Sequence, residues 1–305
     1  MKTGFVRQNV LPILAALIWG TAFVAQSVGA DLVPAFAFNA ARSVVAFVFL
    51  LIVCLVLRTV RRSRGVPVST TASRAQLILG GLCCGAALTV ATYLQQKGLE
   101  AVSSGKAGFL TALYIILVPL LGLLLKKKAP KTVWIGVVLA LAGLYCLCVT
   151  DSFTSITVYD LYLLLGALCF AIHILVIDHF TQKVDGVELS CAQFLVATIL
   201  STAGMLLTEQ PTMAGLTASI WPILYVGVLS SGVAYTLQIE AQRGSDPTVV
   251  SLLLSLESVF SVLAGAVVLH DRMSGREYFG CVLMLAAVVL AQLPDRKKPK
   301  AASSQ

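Results

Sequence analysis

Charged side chains are scarce in this chain. They make up 12% of its 305 residues, while 58% are hydrophobic. An ordinary soluble domain carries about 25% charged residues. A water-soluble protein so poor in charge could not cover its own surface, and a disordered one needs low hydrophobicity, so both classes are excluded. The mean hydropathy of +0.92 points the same way. Acids are the rarer sign, 14 against 22 Lys and Arg. Catalytic motifs are missing as well: there is no G-x-S-x-G and no H-E-x-x-H. The nearest approach to a phosphate loop, Gly98 to Gly105-Lys106, has six residues between its glycines where four are needed, and Ala107 stands where Ser or Thr is required. Neither a catalytic residue nor a cofactor is therefore expected, and transport driven by ATP hydrolysis in the same chain is excluded.

What is present is apolar sequence in long runs. A membrane span takes about 20 apolar residues. Ten candidate spans are read at about 10–30, 35–57, 76–96, 104–125, 133–150, 159–178, 189–207, 219–241, 248–268 and 278–293. All eight cysteines fall inside these runs, away from disulfide or metal-ligand spacings, and read as small hydrophobes. The first run exceeds the 7–15 residues of a signal-peptide core and reads as a span.

The net charge of +8 sits in clusters between runs: Arg58 to Arg64, Lys126 to Lys131, Arg296 to Lys300. No aromatics interleave with them, which excludes a nucleic-acid surface. With the N-terminus in the cytoplasm, 17 basic residues fall in cytoplasmic segments and 4 outside (Lys97, Lys106, Arg272, Arg276), with Arg42 inside a span. That bias places both termini in the cytoplasm.

The chain also repeats itself. Thr89-x-x-x-Tyr93-x-x-Gln96 in span three recurs as Ser231-x-x-x-Tyr235-x-x-Gln238 in span eight, 142 residues on. Downstream, Ser103 matches Asp246 and Gly122 matches Gly265. Ser103 and Asp246 both suit helix N-caps, with Pro247 at the first helical position. The expected architecture is an all-α polytopic membrane protein of ten transmembrane helices in two five-helix repeats, 8–150 and 159–293, followed by a basic cytoplasmic tail, 294–305. Five is odd, so the second repeat enters the membrane inverted, a frequent build of secondary transporters.

Leu17-Ile18-Trp19-Gly20, Arg42, the stretch from Gly105 to Thr111 running on to Pro119, and Ser255 to Phe260 before Leu269-His270-Asp271-Arg272 carry a family likeness. In their order and spacing they resemble the drug/metabolite transporter superfamily, in its ten-helix branch with two EamA repeats. The resemblance covers nearly the whole chain. It implies a multi-pass permease of the cell membrane moving small organic metabolites, often outward.

Lipid cannot satisfy hydroxyls and amides, so polar stripes must face protein or a water-filled path. Thr89, Thr92, Tyr93 and Gln96 share one face of span three, and Ser231, Tyr235, Gln238 and Gln242 one face of span eight. They are read as lining an outer and an inner path; interhelical hydrogen bonding is the plain alternative. Ser251, Ser255, Ser258 and Ser261 stripe span nine, where close packing serves as well as a site, and Gly81-x-x-x-Gly85 reads as a packing face. Trp19, Phe23 and Gln26 share a face of span one, and His173 lies in span six with His179 too far off its face to share a metal.

Two full charges lie deep. By 1.5 Å per residue, Arg42 is about 11 Å below one end of its helix and Glu257 about 14 Å from the opposite membrane face. Three readings stand for Arg42: a pair with Glu257, satisfaction by Asn39, backbone carbonyls or water, or contact with substrate. Glu257 is the one carboxylate near mid-depth and a candidate for binding substrate or carrying a coupling proton. The expected substrate-contacting set is Trp19, Gln26, Tyr93, Gln96, Tyr114, His173, Tyr235, Gln238 and Glu257, with Arg42 and Glu257 as intramembrane charges. The expected partners are a small amino-acid-like solute and the lipid bilayer, with protons as candidate coupling ion. A receptor or scaffold without transport, and an intramembrane enzyme, are the competing classes.

Overall fold

The computed structural model describes residues 5–64, 74–102, 104–126, 131–148, 156–268 and 274–292. Among them there are helices and no strands. Long helices follow in order: α1 (Val6–Leu32), α2 (Ala35–Ser63), α3 (Arg74–Leu99), α4 (Ser104–Ala112 and Tyr114–Leu124), α5 (Lys131–Cys148), α6 (Val158–Thr181), α7 (Gly186–Thr208), α8 (Ile220–Gln242), α9 (Pro247–Leu254 and Glu257–Val268) and α10 (Gly275–Gln292). A short helix, Met213–Ala218, precedes α8. Eight are long and apolar enough to cross a bilayer; α5, over Lys131–Leu147, is a shorter apolar helix.

The helix starts follow from local chemistry. Thr157 caps α6 in a reciprocal box, its hydroxyl accepting from Asp160 N and its own N donating to the Asp160 carboxylate. Asp185 accepts from Val187 N and Glu188 N at the start of α7. Asp246 caps α9 through Thr248 N, with Pro247 behind it, as the sequence predicts. Its expected counterpart Ser103 lies outside the described residues. The N-terminus of α2 is satisfied from afar: Phe36 N and Ala37 N donate to the Glu209 carboxylate at the end of α7.

Polarity runs inside out. Ile52, Ile78, Val138, Leu207 and Val289 face outward, Leu207 83% exposed, while Gln96 is 1% exposed. Asn39, Arg42, His173, Gln193 and Glu257 are likewise buried. An apolar surface around a polar interior suits hydrocarbon as solvent. The chain is a multi-pass membrane protein.

Small residues set the crossings. A Cβ on Gly20 of α1 would lie 2.6 Å from the Glu257 carbonyl of α9, and one on Gly81 of α3 2.7 Å from the Ala192 Cβ of α7. Gly143 and Gly280 face each other where α5 meets α10; a Cβ on either would come within 2.9 Å of the other's carbonyl. Further, α3 packs on α6 and α8 on α1, α3 on α7 and α8 on α2, α4 on α6 and α9 on α1, and α2 along α7.

Three helices are irregular at their middles. In α4, Leu113 N donates to Leu110 O and Ile116 N to Leu113 O; in α9, Leu256 N donates to Leu253 O and Ser258 N to Ser255 O. Each is a single tightened turn that interrupts the α-helix. In α8, Val226–Ala234 forms wider π turns.

Candidate substrate cavity

A narrow cavity of about 40 Å³ lies where these irregular turns meet. Its walls come from α1 (Trp19, Phe23, Gln26), α2 (Arg42), α3 (Gln95), α4 (Thr111, Tyr114), α6 (Phe170, His173, Ile174), α8 (Ser230, Tyr235, Gln238) and α9 (Leu254, Glu257). Thr111 and Tyr114 flank the break in α4, and Leu254 and Glu257 flank the break in α9. The wide turns of α8 present the Ser230 carbonyl, which accepts the Trp19 indole N–H at 3.2 Å. Discontinuous helices whose freed backbone lines a cavity are a recurring way to build an intramembrane site.

Both deep charges enter this space, and they do not pair. Arg42 Nη1 donates to the Gln26 amide oxygen at 2.8 Å, its one hydrogen-bond partner among the described residues. Glu257 accepts from the Tyr114 hydroxyl at 3.3 Å. No acid among the described residues forms an ion pair with Arg42, and no base with Glu257. Of the three readings open for Arg42, the pair with Glu257 is absent among the described residues. Asn39 is not the partner either: both its amide atoms are buried without a hydrogen bond. Charge held this deep carries an insertion cost of at least about 2.5 kcal/mol per group, and a neutral amide and a phenol offset only part of it.

Tyr235 organises the aromatic wall. Its ring lies 4.8 Å from Trp19, 5.6 Å from Phe194 and 5.9 Å from His173, centre to centre. His173 Nε2 is 3.0 Å from Gln193 Oε1. An amide oxygen only accepts, so Nε2 carries the hydrogen and Nδ1 is the bare acceptor, buried without a partner. Gln238 Oε1 is likewise unpartnered.

Eight of the ten anticipated residues therefore gather in one cavity: Trp19, Gln26, Arg42, Tyr114, His173, Tyr235, Gln238 and Glu257. Tyr93 and Gln96 lie outside it. Tyr93 stacks on Phe36, centroids 3.9 Å apart. Gln96 Nε2 donates to the Gln26 backbone carbonyl at 3.0 Å, tying α3 to α1, and Gln242 Nε2 ties α8 to α6 through the Ile174 carbonyl at 2.8 Å. Thr89 and Thr92 bond back to carbonyls of their own helix. On α9, Ser251 and Ser255 do the same. The residue missed on α3 is Gln95, one position from the expected Gln96; its signal is the repeat itself, because Gln95 and Gln238 stand 143 residues apart, the spacing of Ser103 and Asp246.

The same regions carry the likeness to known proteins. The model of the EamA-like transporter family matches residues 8–149 and again 157–293. An "Uncharacterized transporter" of Archaeoglobus fulgidus is 28% identical over 281 residues, 92% of this chain and 84% of that one. The "Uncharacterized transporter YwfM" of Bacillus subtilis is 26% identical over 181 residues, 58% of this chain and 60% of its own. A solved structure titled "Crystal structure of protein" superposes with a TM-score of 0.75 at 18% identity, covering 93% of this chain and 96% of that one, which bears on the fold alone.

Proposed function

The chain belongs to the EamA-like transporter family, matched twice along its length, and from that premise we propose that it exports a small amino-acid-like zwitterion through the cavity between its repeats, by alternating access. The observation that carries this reading is the unpaired couple of Arg42 and Glu257 on one set of walls. A solute with a carboxylate for the guanidinium and an ammonium for the carboxylate supplies both missing partners. Charge-assisted hydrogen bonds of this kind are about twice as strong as neutral ones. The aromatic faces of Trp19 and Tyr235 suit the apolar body of such a solute and add attraction for its cation.

The inverted-repeat arrangement, with both termini cytoplasmic, is part of the same proposal. Exchanging α1–α5 with α6–α10 turns every helix pairing given above into another one on the list or into itself. The two amide ties, Gln96 to Gln26 and Gln242 to Ile174, exchange the same way. The bias of basic residues supports the orientation, and α5 and α10, facing each other through Gly143 and Gly280, complete ten crossings.

The direct test is counterflow in proteoliposomes loaded with single amino acids, related zwitterions, and their esters or N-acyl derivatives. Protein-dependent exchange of zwitterions, lost when either charge of the solute is blocked, is expected. Equal exchange of blocked and unblocked solutes would sink the zwitterion reading. Saturable binding without exchange would turn the protein into a receptor.

A further inference from the structure

A second cleft lies on the outer flank, far from the substrate walls in composition: it has almost no polar lining. Leu121, Leu124 and Leu125 at the end of α4 and Ile172, Leu175 and Phe180 of α6 line an outward-open groove of about 440 Å³. From Ile172 to Phe180 the groove runs roughly 12 Å at 1.5 Å per residue. Leu124 is 79% exposed, so this is a trough in the lipid-facing surface, open to a single chain from the bilayer.

What distinguishes the trough from the rest of that surface is its rim. His179 belongs to the lining, and Lys183 Nζ donates to His179 Nε2 at 2.8 Å while lying 6.0 Å from the Phe180 ring centre. With Nε2 accepting, His179 carries its hydrogen on Nδ1, a second donor beside the two spare N–H groups of the ammonium. Both residues are exposed. The nearby acids are engaged elsewhere: Asp185 by Arg61 and Glu188 by Arg58, and Asp178 is buried. Lys183 has no ion-pair partner among the described residues. Across the trough, α4 ends at Leu124 and the chain turns at Lys126, with φ +60°.

We propose that this trough is a binding site for one anionic phospholipid, an acyl chain lying between α4 and α6 and the headgroup phosphate held by Lys183 and His179. Its place in the cytoplasmic leaflet rests on the orientation proposed above; the site itself does not. A phosphodiester at an exposed ammonium with a neighbouring N–H gains charge-assisted bonds that a zwitterionic headgroup, carrying its own cation, offsets internally.

The test uses the delipidated full chain and native mass spectrometry with phosphatidylglycerol or phosphatidylcholine of matched chains. At least one phosphatidylglycerol is expected to be retained about fivefold more tightly than phosphatidylcholine, the effect of about one favourable cation near a membrane surface. Lys183→Ala with His179→Ala should erase the preference, and Lys183→Arg should keep it. A tryptophan placed by Leu124→Trp should be quenched more by brominated phosphatidylglycerol than by brominated phosphatidylcholine, and glycerol phosphate in solution should not relieve the quenching. Equal retention of the two lipids, a preference untouched by the double variant, or relief of quenching by soluble glycerol phosphate would each overturn the proposal. None of these readouts involves transport, so they stand apart from the fate of the zwitterion reading.

Discussion

Tyr114 and Glu257 each open the second segment of a broken helix, and the phenol of one donates to the carboxylate of the other at 3.3 Å. The bond joins the break in α4 to the break in α9, one from each family-matched stretch. It also leaves Glu257 an acceptor held in place for a second donor. Tyr114→Phe keeps the ring and removes the bond. Hydrogen bonds to charged groups contribute about 1.5–3 kcal/mol, so half-saturation for a zwitterionic solute should rise about ten- to a hundredfold, with protein yield unchanged. An unaltered concentration dependence would mean that the carboxylate is positioned without the phenol.

Gln95 and Gln96 stand one residue apart but face different surroundings. Gln95 lines the cavity, while Gln96 ties α3 to the α1 backbone. Gln95→Leu should cut transport and leave the thermal unfolding midpoint in detergent nearly unchanged. Gln96→Leu should lower that midpoint, because helix-to-helix polar contacts in membranes average about 0.6 kcal/mol and the Gln26 carbonyl loses its donor. The opposite pattern would exchange their roles.

How far the sequence reaches is visible in these same helices. Hydropathy finds the long apolar helices, eight of them able to cross a bilayer by length and composition, because lipid demands about 20 apolar residues whatever the partner helix. It ends α2 at residue 57, whereas the helix runs to Ser63. The added turns carry Arg58 and Arg61, which pair with Glu188 and Asp185 of α7, a contact that no local pattern encodes. The cavity lining is legible where deep charge or repeated amides stand out, as at Arg42, Glu257 and Gln238. That Gln96 lies outside the lining has a geometric cause. The residues from Val226 to Ala234 form wide turns, while the matching stretch of α3 is regular helix, so equal sequence spacing no longer means an equal face. Nothing in the composition of Val226–Ala234 announces that width.

The α5–α10 contact should tolerate no side chain. Gly143→Val or Gly280→Val would each push a branched group into a carbonyl of the facing helix. Overpacking of this kind costs about 1–3 kcal/mol, read as a fall in the unfolding midpoint and in the yield of monodisperse protein. Substrate affinity of the surviving fraction should match wild type, since neither glycine touches the cavity.

Arg61–Asp185 at 3.2 Å and Arg58–Glu188 at 2.9 Å clasp α2 to α7 at one end of the bundle. Exposed pairs contribute only about 0–1 kcal/mol, which suits them to break and reform under the proposed alternating access. Arg61→Glu should therefore change stability little while shifting the balance between the two access states. The measurement is reactivity of a cysteine introduced at Gln95 from either side of the membrane. Asp185→Arg added to Arg61→Glu should restore the wild-type ratio. A ratio that the single and double variants leave unchanged would remove this clasp from the transport cycle.

We propose that Glu257 carries a coupling proton. The groups facing it across the cavity are Tyr114, Tyr235, Arg42 and His173. Among them it is the one carboxylate, and its bond from Tyr114 is compatible with either protonation state of the acid, because the phenol is the donor in both. A carrier that alternates between proton and substrate needs such a group: one that meets the substrate ammonium when ionised and releases it when neutral. Glu257→Gln fixes the neutral form in the same shape. With wild-type protein, an imposed pH gradient should drive solute against its concentration difference in proteoliposomes. With Glu257→Gln, exchange without a gradient should persist at reduced affinity, while the gradient should add nothing. Arg42→Leu, which removes a buried charge and strands the Gln26 oxygen, should depress folded yield more than Glu257→Gln does. If the wild-type rate is indifferent to the gradient, Glu257 is a fixed anchor for the solute ammonium, and the protein is an exchanger or facilitator.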